Sequence, residues 1–136
     1  MNKIAIVVSR FNEKTTEVMR DKALEFSKEN NLDVVEVVEV PGAFEIPFAV
    51  QKLLVKDVEG VATLGAVIKG GTQHDEVIMN SITKSLLDLS LKYNKPVTLG
   101  IIGPGASREQ VEDRKVDYAK RCIKTLAFML SGNRVK

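Results

Sequence analysis

Hydrophobic residues along this chain fall into short runs that alternate with longer segments of helical periodicity. Four short apolar or β-branched runs predict strands at residues 3–8, 34–40, 60–68 and 97–102. Apolar residues at helical spacing predict helices over about residues 14–29 and 47–55, a third that begins near His74 and runs to about Tyr93, and a last one after Ser107. The chain therefore alternates strand and helix four times.

Strands that alternate with helices predict parallel strands joined by right-handed crossovers. The expected fold class is α/β, a three-layer α/β/α sandwich around a four-stranded parallel, flavodoxin-like sheet, in one domain over residues 1–136. The first strand shows no alternation of apolar and polar residues, which indicates burial on both faces. Glu36 and Glu39 within the second strand predict a partly solvated edge position.

Several residues predict local structure at the ends of these elements. Pro47 fits the first turn of the second helix, and Ser107 with Gln110 predicts a capping box for the last helix. The glycine- and proline-rich residues 103–106 predict a loop after the fourth strand. Cys122 lies on the apolar stripe of the last helix, so we expect it in the core.

Composition and charge narrow the class of protein. The net charge of +2 is too small to indicate nucleic-acid binding, and no apolar run approaches the roughly 18 residues that span a bilayer. The single cysteine excludes an internal disulfide and fits a reducing compartment. A strand-like run that starts by Lys3 leaves no room for a signal peptide. We therefore expect a cytoplasmic protein with neither nucleic acid nor membrane as a partner.

The position of a ligand site follows from the predicted fold. Open parallel sheets bind ligands beyond the carboxyl ends of their strands. Here those ends carry distinctive segments at residues 9–12, 41–47, 69–76 and 103–106, whereas the opposite ends are plain. This asymmetry predicts the site at the carboxyl edge.

The glycine-rich segment before the third helix has two interpretations. Its amides could meet an anion with help from the helix N-terminus, or the glycines could simply make the turn. The spacing is neither a Walker A loop nor a dinucleotide fingerprint, which disfavours ATP and NAD. His74 is the only histidine and either acts in catalysis or is structural; with one histidine and one cysteine, we expect no metal site.

Two aromatic and two charged residues are further candidates. Phe11 and Phe44 each offer a face that could stack on a planar heterocycle, or else they belong to the core. Glu45 could bind sugar hydroxyls or complement a helix N-terminus. Arg114 could bind a phosphate as a two-pronged donor or pair with a neighbouring carboxylate.

Four segments taken together resemble lumazine synthases over nearly the whole chain. They are Ser9–Asn12, Val40–Pro47, Leu64–His74 and Glu109–Arg114. The string Val-Pro-Gly-Ala-Phe-Glu-Ile-Pro is highly specific, and a Gly-x-Thr-x-His motif follows it at the expected distance. The Gly-Pro-Gly segment and the short N-terminus resemble the archaeal branch of the family.

The resemblance implies a reaction in riboflavin biosynthesis, at its penultimate step. A ribityl-aminouracil and 3,4-dihydroxy-2-butanone 4-phosphate condense to 6,7-dimethyl-8-ribityllumazine, phosphate and water. The resemblance implies no cofactor. It implies that Phe11 stacks on the pyrimidine ring and that His74 moves protons.

The remaining site residues also follow from the resemblance. The residues implied to hold the ring and ribityl chain are Ala43, Phe44, Glu45, Ala66, Val67, Ile68 and Leu99. The residues implied to bind the phosphate of the butanone are Gly71, Thr72 and Arg114. The family often has an aromatic residue where Leu99 stands. A short linker after Arg114 leaves Lys115 and Lys120 as alternative candidates for an assisting lysine.

The resemblance also implies self-association. Family members form homopentamers with active sites between subunits, which would place Leu99 and Arg114 across the interface from Phe11, Phe44 and His74. Some members pack twelve pentamers into a hollow icosahedral capsid, and the short linker before the last helix resembles that type.

Three alternatives stay open at this stage. A related archaeal riboflavin synthase shares the fold and would dismutate the lumazine. A non-catalytic flavin- or lumazine-binding shell would need Phe11 and Phe44 but neither His74 nor Arg114. A flavodoxin-like signalling module would need an acidic cluster after the first strand, where residues 9–12 contain none.

Overall fold

A computed structural model describes residues 1–69 and 74–132 of the chain. Its strands are β1 (Asn2–Ser9), β2 (Leu32–Val40), β3 (Gly60–Ile68) and β4 (Val97–Ala106). Its helices are α1 (Glu13–Glu29), α2 (Ile46–Leu54), α3 (His74–Tyr93) and α4 (Arg108–Leu130), with a short 3₁₀ turn at Ala43–Glu45 before α2. The predicted alternation of strands and helices is confirmed.

The four strands form one parallel sheet in the order β2-β1-β3-β4. β1 lies inside the sheet, and its residues from Ile4 to Ser9 are buried. β2 lies at an edge, where Asp33, Val35 and Glu39 are exposed. Both positions agree with the hydrophobic pattern of the two strands.

Two apolar cores lie on opposite faces of the sheet, and alternate residues of β1 point into each. Ile4, Ile6 and Val8 join the core that α1 and α4 cover, while Ala5 and Val7 join the core under α2 and α3. The helical residues that fill the two cores include Met19, Ala23, Ile123 and Leu126 on the first face and Val50, Leu53, Ile82 and Leu86 on the second. Each large apolar side chain buried in this way stabilises the fold by roughly 1.5–3 kcal/mol. The three-layer α/β/α sandwich is confirmed.

The helix ends agree with the local predictions. Pro47 lies in the first turn of α2. Ser107 Oγ accepts a hydrogen bond from Gln110 N at 3.2 Å, and Gln110 Oε1 accepts one from Ser107 N at 2.9 Å. This capping box fixes the point at which the chain leaves β4 and enters α4. Cys122 is buried, as predicted.

The prediction of a loop at residues 103–106 is wrong, because β4 continues to Ala106. After a shift in register, Ile68 pairs with Ala106, and Lys69 N donates to Ala106 O at 2.7 Å. Gly103 has a φ of +118°, and a Cβ there would lie 2.5 Å from Val67 O. The glycine therefore allows a close approach of two strands rather than a turn away from the sheet.

Within residues 1–69 and 74–132, each helix is too short or too polar to span a bilayer. The chain moves from β1 outward to β2 and then back past β1 to β3, so the order of strands reverses between β1 and β3. This switch point is where an open parallel sheet leaves a crevice at its carboxyl edge.

Candidate active site

A cleft of about 370 Å³ opens at the switch point, beyond the carboxyl ends of β1 and β3. Seven of the predicted site residues line it together: Phe11, Ala43, Phe44, Ala66, Val67, Ile68 and His74. Gly42, Asp75 and Ile78 complete the lining. The cleft is mainly apolar, with a histidine and a carboxylate at the end formed by α3. Such a mixture suits a planar organic ligand that is held by its faces and acted on at one edge.

The two aromatic side chains of the cleft are exposed to solvent. Phe11 and Phe44 each leave 67% of their surface accessible, so neither caps the core. Residues 9–12 form the Phe11 loop, and residues 41–47 form the Pro-Gly turn. The Phe11 loop is held against the start of the Pro-Gly turn, because Phe11 N donates to Pro41 O at 2.9 Å. An exposed aromatic face on a fixed backbone is available for stacking at little cost in conformational entropy.

Glu45 closes the turn that carries Phe44. Its Oε1 accepts a hydrogen bond from Gly42 N at 2.9 Å, which caps the Ala43–Glu45 turn. The described side chains that line the cleft do not include Glu45. Of the two sequence interpretations, the structure therefore shows the capping role.

His74 begins α3 and is exposed, and it lines the cleft together with its neighbour Asp75. The predicted phosphate contacts Gly71 and Thr72 lie outside the described residues.

Leu99 and Arg114 are not among the described residues that line the cleft of the same chain. Leu99 is 44% exposed on β4, an edge strand, where it lines a separate recess with Tyr118, Arg121 and Cys122. Arg114 is exposed on α4. The structure thus places seven of the predicted site residues in the cleft and two, Leu99 and Arg114, on the β4–α4 edge.

The floor of this edge recess is a buried thiol. Cys122 Sγ lies 3.2 Å from Thr98 Oγ1 and 3.6 Å from Thr63 O. Burial raises the pKa of the Cys122 thiol from its ordinary 9.0 to about 11, although the two hydrogen bonds oppose the rise. The thiol is therefore protonated at neutral pH and behaves as a small core residue.

Two residues at the cleft have roles that the sequence interpretation did not assign. Asn12 has a left-handed backbone with φ 66°, and its side chain donates to Ala66 O at 3.1 Å, which joins the Phe11 loop to β3. Asp75 is 8% exposed, and its Oδ2 accepts from Gly105 N at 2.9 Å. The available sequence signal for Asn12 is its residue type, because Asn tolerates a positive φ. Asp75 gives no such signal, because an acidic residue in the first turn of a helix usually only complements the helix dipole.

A second groove, of about 470 Å³, runs between α2 and α3. Phe44 lines both cavities, and the groove also exposes Phe48. His74 lines the smaller cleft but not this groove, so the smaller cleft is the better candidate for proton transfer. Among residues 1–69 and 74–132, no group of three or more His, Cys, Asp or Glu side chains is placed to hold a metal ion.

Comparison with known proteins identifies the family. The family model described as 6,7-dimethyl-8-ribityllumazine synthase matches residues 1–133. A protein of that name from Staphylothermus marinus is 47% identical over 135 residues, which cover 98% of this chain and 90% of the relative. Those from Metallosphaera sedula and Aeropyrum pernix are each 50% identical, over 93% and 90% of this chain and 85% of each relative. The chain therefore belongs to the 6,7-dimethyl-8-ribityllumazine synthase family.

Proposed function

We propose that the cleft at the carboxyl ends of β1 and β3 is the active site in which this chain carries out the reaction of its family. In that reaction 5-amino-6-(D-ribitylamino)uracil condenses with 3,4-dihydroxy-2-butanone 4-phosphate to 6,7-dimethyl-8-ribityllumazine, phosphate and water. The observation that carries the proposal is that Phe11, Phe44 and His74, from three separate segments, line one cleft.

The apolar part of the cleft binds the pyrimidine in this proposal. Phe11 stacks on the ring, and the backbone and small side chains of Ala66, Val67 and Ile68 form the wall at the end of β3. Ala43, Phe44 and Glu45 bind the ring and the ribityl chain from the Pro-Gly turn. The cap that Glu45 provides also sets the position of Phe44.

His74 transfers protons at the other end of the cleft. The condensation requires an amine to attack a ketone, followed by loss of water and phosphate and closure of a ring. Each step moves a proton, and an imidazole can both accept and donate one. Much of the acceleration comes from holding two substrates in one orientation, which such a cleft favours.

Phosphate is bound by Gly71, Thr72 and Arg114 in this proposal. Backbone N–H groups at the start of a helix are suitable donors to phosphate oxygens because the helix dipole adds partial positive charge there. An arginine side chain is suitable because its guanidinium carries a full positive charge. Lys115 and Lys120 stay the candidates for an assisting lysine. Lys115 pairs with Glu112, and Lys120 lies 5.8 Å from the centre of the Phe26 ring, so either would have to exchange a contact for the phosphate.

Self-association completes the site in this proposal. Copies of the chain, each one domain over residues 1–136, form a homopentamer in which Leu99 and Arg114 of one copy face the cleft of the next. Exposed apolar side chains on α2, at its C-cap and on α3 support such burial: Phe48, Val55, Val77, Leu87 and Leu91. The proposal extends to a shell built from twelve such pentamers. A sedimentation profile that shows pentamers alone would contradict the shell. We also propose a cytoplasmic location, which the free thiol supports.

The test follows lumazine absorbance when purified chain is mixed with both substrates, against a control without protein. Acceleration above the spontaneous reaction supports the proposal, and none in a folded, assembled protein contradicts it. Lumazine alone, supplied to the same preparation, tests the riboflavin synthase alternative. Tight binding of lumazine without turnover would instead favour a binding shell.

A further inference from the structure

We infer that Asp75 is a positioning residue that ties the helix bearing His74 to the end of β4 and so fixes the histidine at the cleft. The inference rests on the proposed function, because it assigns Asp75 a part in the same reaction. Asp75 is nine-tenths buried although its side chain is polar, and a buried polar group requires a specific partner.

The partner is the backbone of β4. Asp75 Oδ2 accepts from Gly105 N at 2.9 Å, across 30 residues of sequence. A hydrogen bond to a charged group is stronger than a neutral one, and its loss inside a partly buried site leaves the donor unsatisfied.

The end of β4 that donates this hydrogen bond is held in place by two further contacts. Gly103 packs against Val67 O so closely that no side chain fits between them, and Lys69 N donates to Ala106 O at 2.7 Å. Two consecutive residues of β4 therefore make hydrogen bonds: Gly105 bonds to the side chain of Asp75, and Ala106 bonds to the backbone of Lys69. Asp75 and Lys69 lie on either side of residues 70–74 in the sequence.

Asp75 also separates two cavities. It lines the cleft beside His74, and it lines a neighbouring recess formed with Lys69, Glu76, Pro104 and Gly105. Because the carboxylate is bonded to the β4 backbone on the recess side, α3 cannot shift along the sheet without breaking that bond. The tether thus fixes the first turn of α3, and with it the distance from His74 to a ligand stacked on Phe11.

The test compares three substitutions that separate the tether from the charge. Asp75→Ala removes the acceptor, Asp75→Asn keeps an acceptor of the same length without the charge, and Asp75→Glu keeps the charge but lengthens the tether. Asp33→Ala is the matched control, since Asp33 is exposed at the amino end of β2, on the opposite edge of the sheet from the cleft.

We expect Asp75→Ala to lower kcat by about 10- to 100-fold, because small misplacements of a reacting group have effects of that size. The KM for the ribityl-aminouracil should not change, since Phe11 and Phe44 do not depend on Asp75. Asp75→Asn should restore most of kcat, whereas Asp75→Glu and Asp75→Ala stay low. Wild-type kcat in folded Asp75→Ala, or equal losses in Asp75→Ala and Asp75→Asn, would overturn the inference.

A second measurement is independent of activity. Hydrogen exchange read by mass spectrometry on peptides that contain Gly105 should show its amide protected in the wild type and in Asp75→Asn, and about tenfold less protected in Asp75→Ala. Unaltered protection in Asp75→Ala would overturn the tether. If Asp75→Ala does not fold, the contrast between Asp75→Asn and Asp75→Glu decides. If the wild type itself has no activity, the proposed function fails, and the exchange data still test the tether.

Discussion

The cleft and the β4–α4 edge differ in what a single chain supplies. The cleft brings together side chains from the Phe11 loop, the Pro-Gly turn, β3 and α3, and it holds the residues proposed for stacking and for proton transfer. The edge carries Leu99 and Arg114, neither of which lines the cleft of the same chain. The comparison teaches that one chain supplies most of the proposed ring contacts, whereas the proposal takes Leu99 and the phosphate-binding Arg114 from another copy.

The largest effect is expected at the edge. Arg114→Ala should lower kcat/KM by about 100- to 1,000-fold, because a charged donor to the departing phosphate is lost. Arg114→Lys should recover only part of the activity, since lysine lacks the two-pronged geometry. Lys124→Ala, which removes a different exposed charge from α4, is the control. Steady-state kinetics with varied butanone phosphate measure the effect, and an unchanged kcat/KM would remove Arg114 from the site.

A somewhat smaller effect is expected in the cleft. His74→Ala should lower kcat by about 100-fold, at the lower end of the range for a lost proton-transfer group, because positioning of the two substrates survives. The affinity for the ribityl-aminouracil, measured by equilibrium titration, should be retained. Complete loss of activity in a folded His74→Ala protein would show that proton transfer dominates instead.

Mixing the two variants tests directly whether the cleft and the edge of different copies meet. If each site takes its cleft from one chain and its edge from the next, co-refolded His74→Ala and Arg114→Ala chains should recover about a quarter of wild-type activity. If one chain supplied both groups, the mixture would stay inactive. A mixture of wild type with the double variant separates the cases again, with about a quarter of activity for shared sites and about half for separate ones.

The smallest expected effect on activity concerns Cys122, which lines the edge recess. Its thiol should affect stability at high pH and leave activity at neutral pH unchanged. Burial keeps the Cys122 thiol protonated up to a pKa of about 11 in the folded chain, while the unfolded chain releases the proton above about 9. Between these values the unfolded state loses a proton that the folded state retains. The free energy of unfolding should therefore fall by about 2–3 kcal/mol as the pH rises from about 9 to 11.

Urea titrations of the wild type and Cys122→Ala across this range isolate the thiol, because other groups contribute equally to both curves. Parallel curves would mean that the thiol is not held protonated by the fold.

Hydrophobic periodicity was sufficient to predict the layers and the sheet. Uninterrupted apolar residues in β1 and the glutamates of β2 distinguish an inner strand from an edge strand, since burial on one or both faces leaves a direct mark on sequence. Glycine and proline at residues 103–106 predict a loop because they usually mark turns, and this prediction is wrong. Gly103 instead allows a close contact with Val67 O, a residue of another strand that the local sequence does not indicate.

The site shows the same division between local and distant information. The Phe11 loop and the Pro-Gly turn are predicted as ligand-binding segments because their residue types are unusual for strand ends, and residues of both line the cleft. Asp75 was missed, since its importance lies in a bond to Gly105 that is distant in sequence. The separation of Leu99 and Arg114 from the cleft likewise depends on the path of the whole chain.

In the proposed assembly, the apolar surface of α2 and α3 would make folding depend on the protein concentration. Phe48, Leu87 and Leu91 expose large hydrophobic areas that association with another copy would remove from water. Because only folded chains would associate in this way, the midpoint of thermal unfolding should rise with protein concentration. A dilute solution of this enzyme would therefore be less heat-resistant than a concentrated one, although every molecule has the same fold.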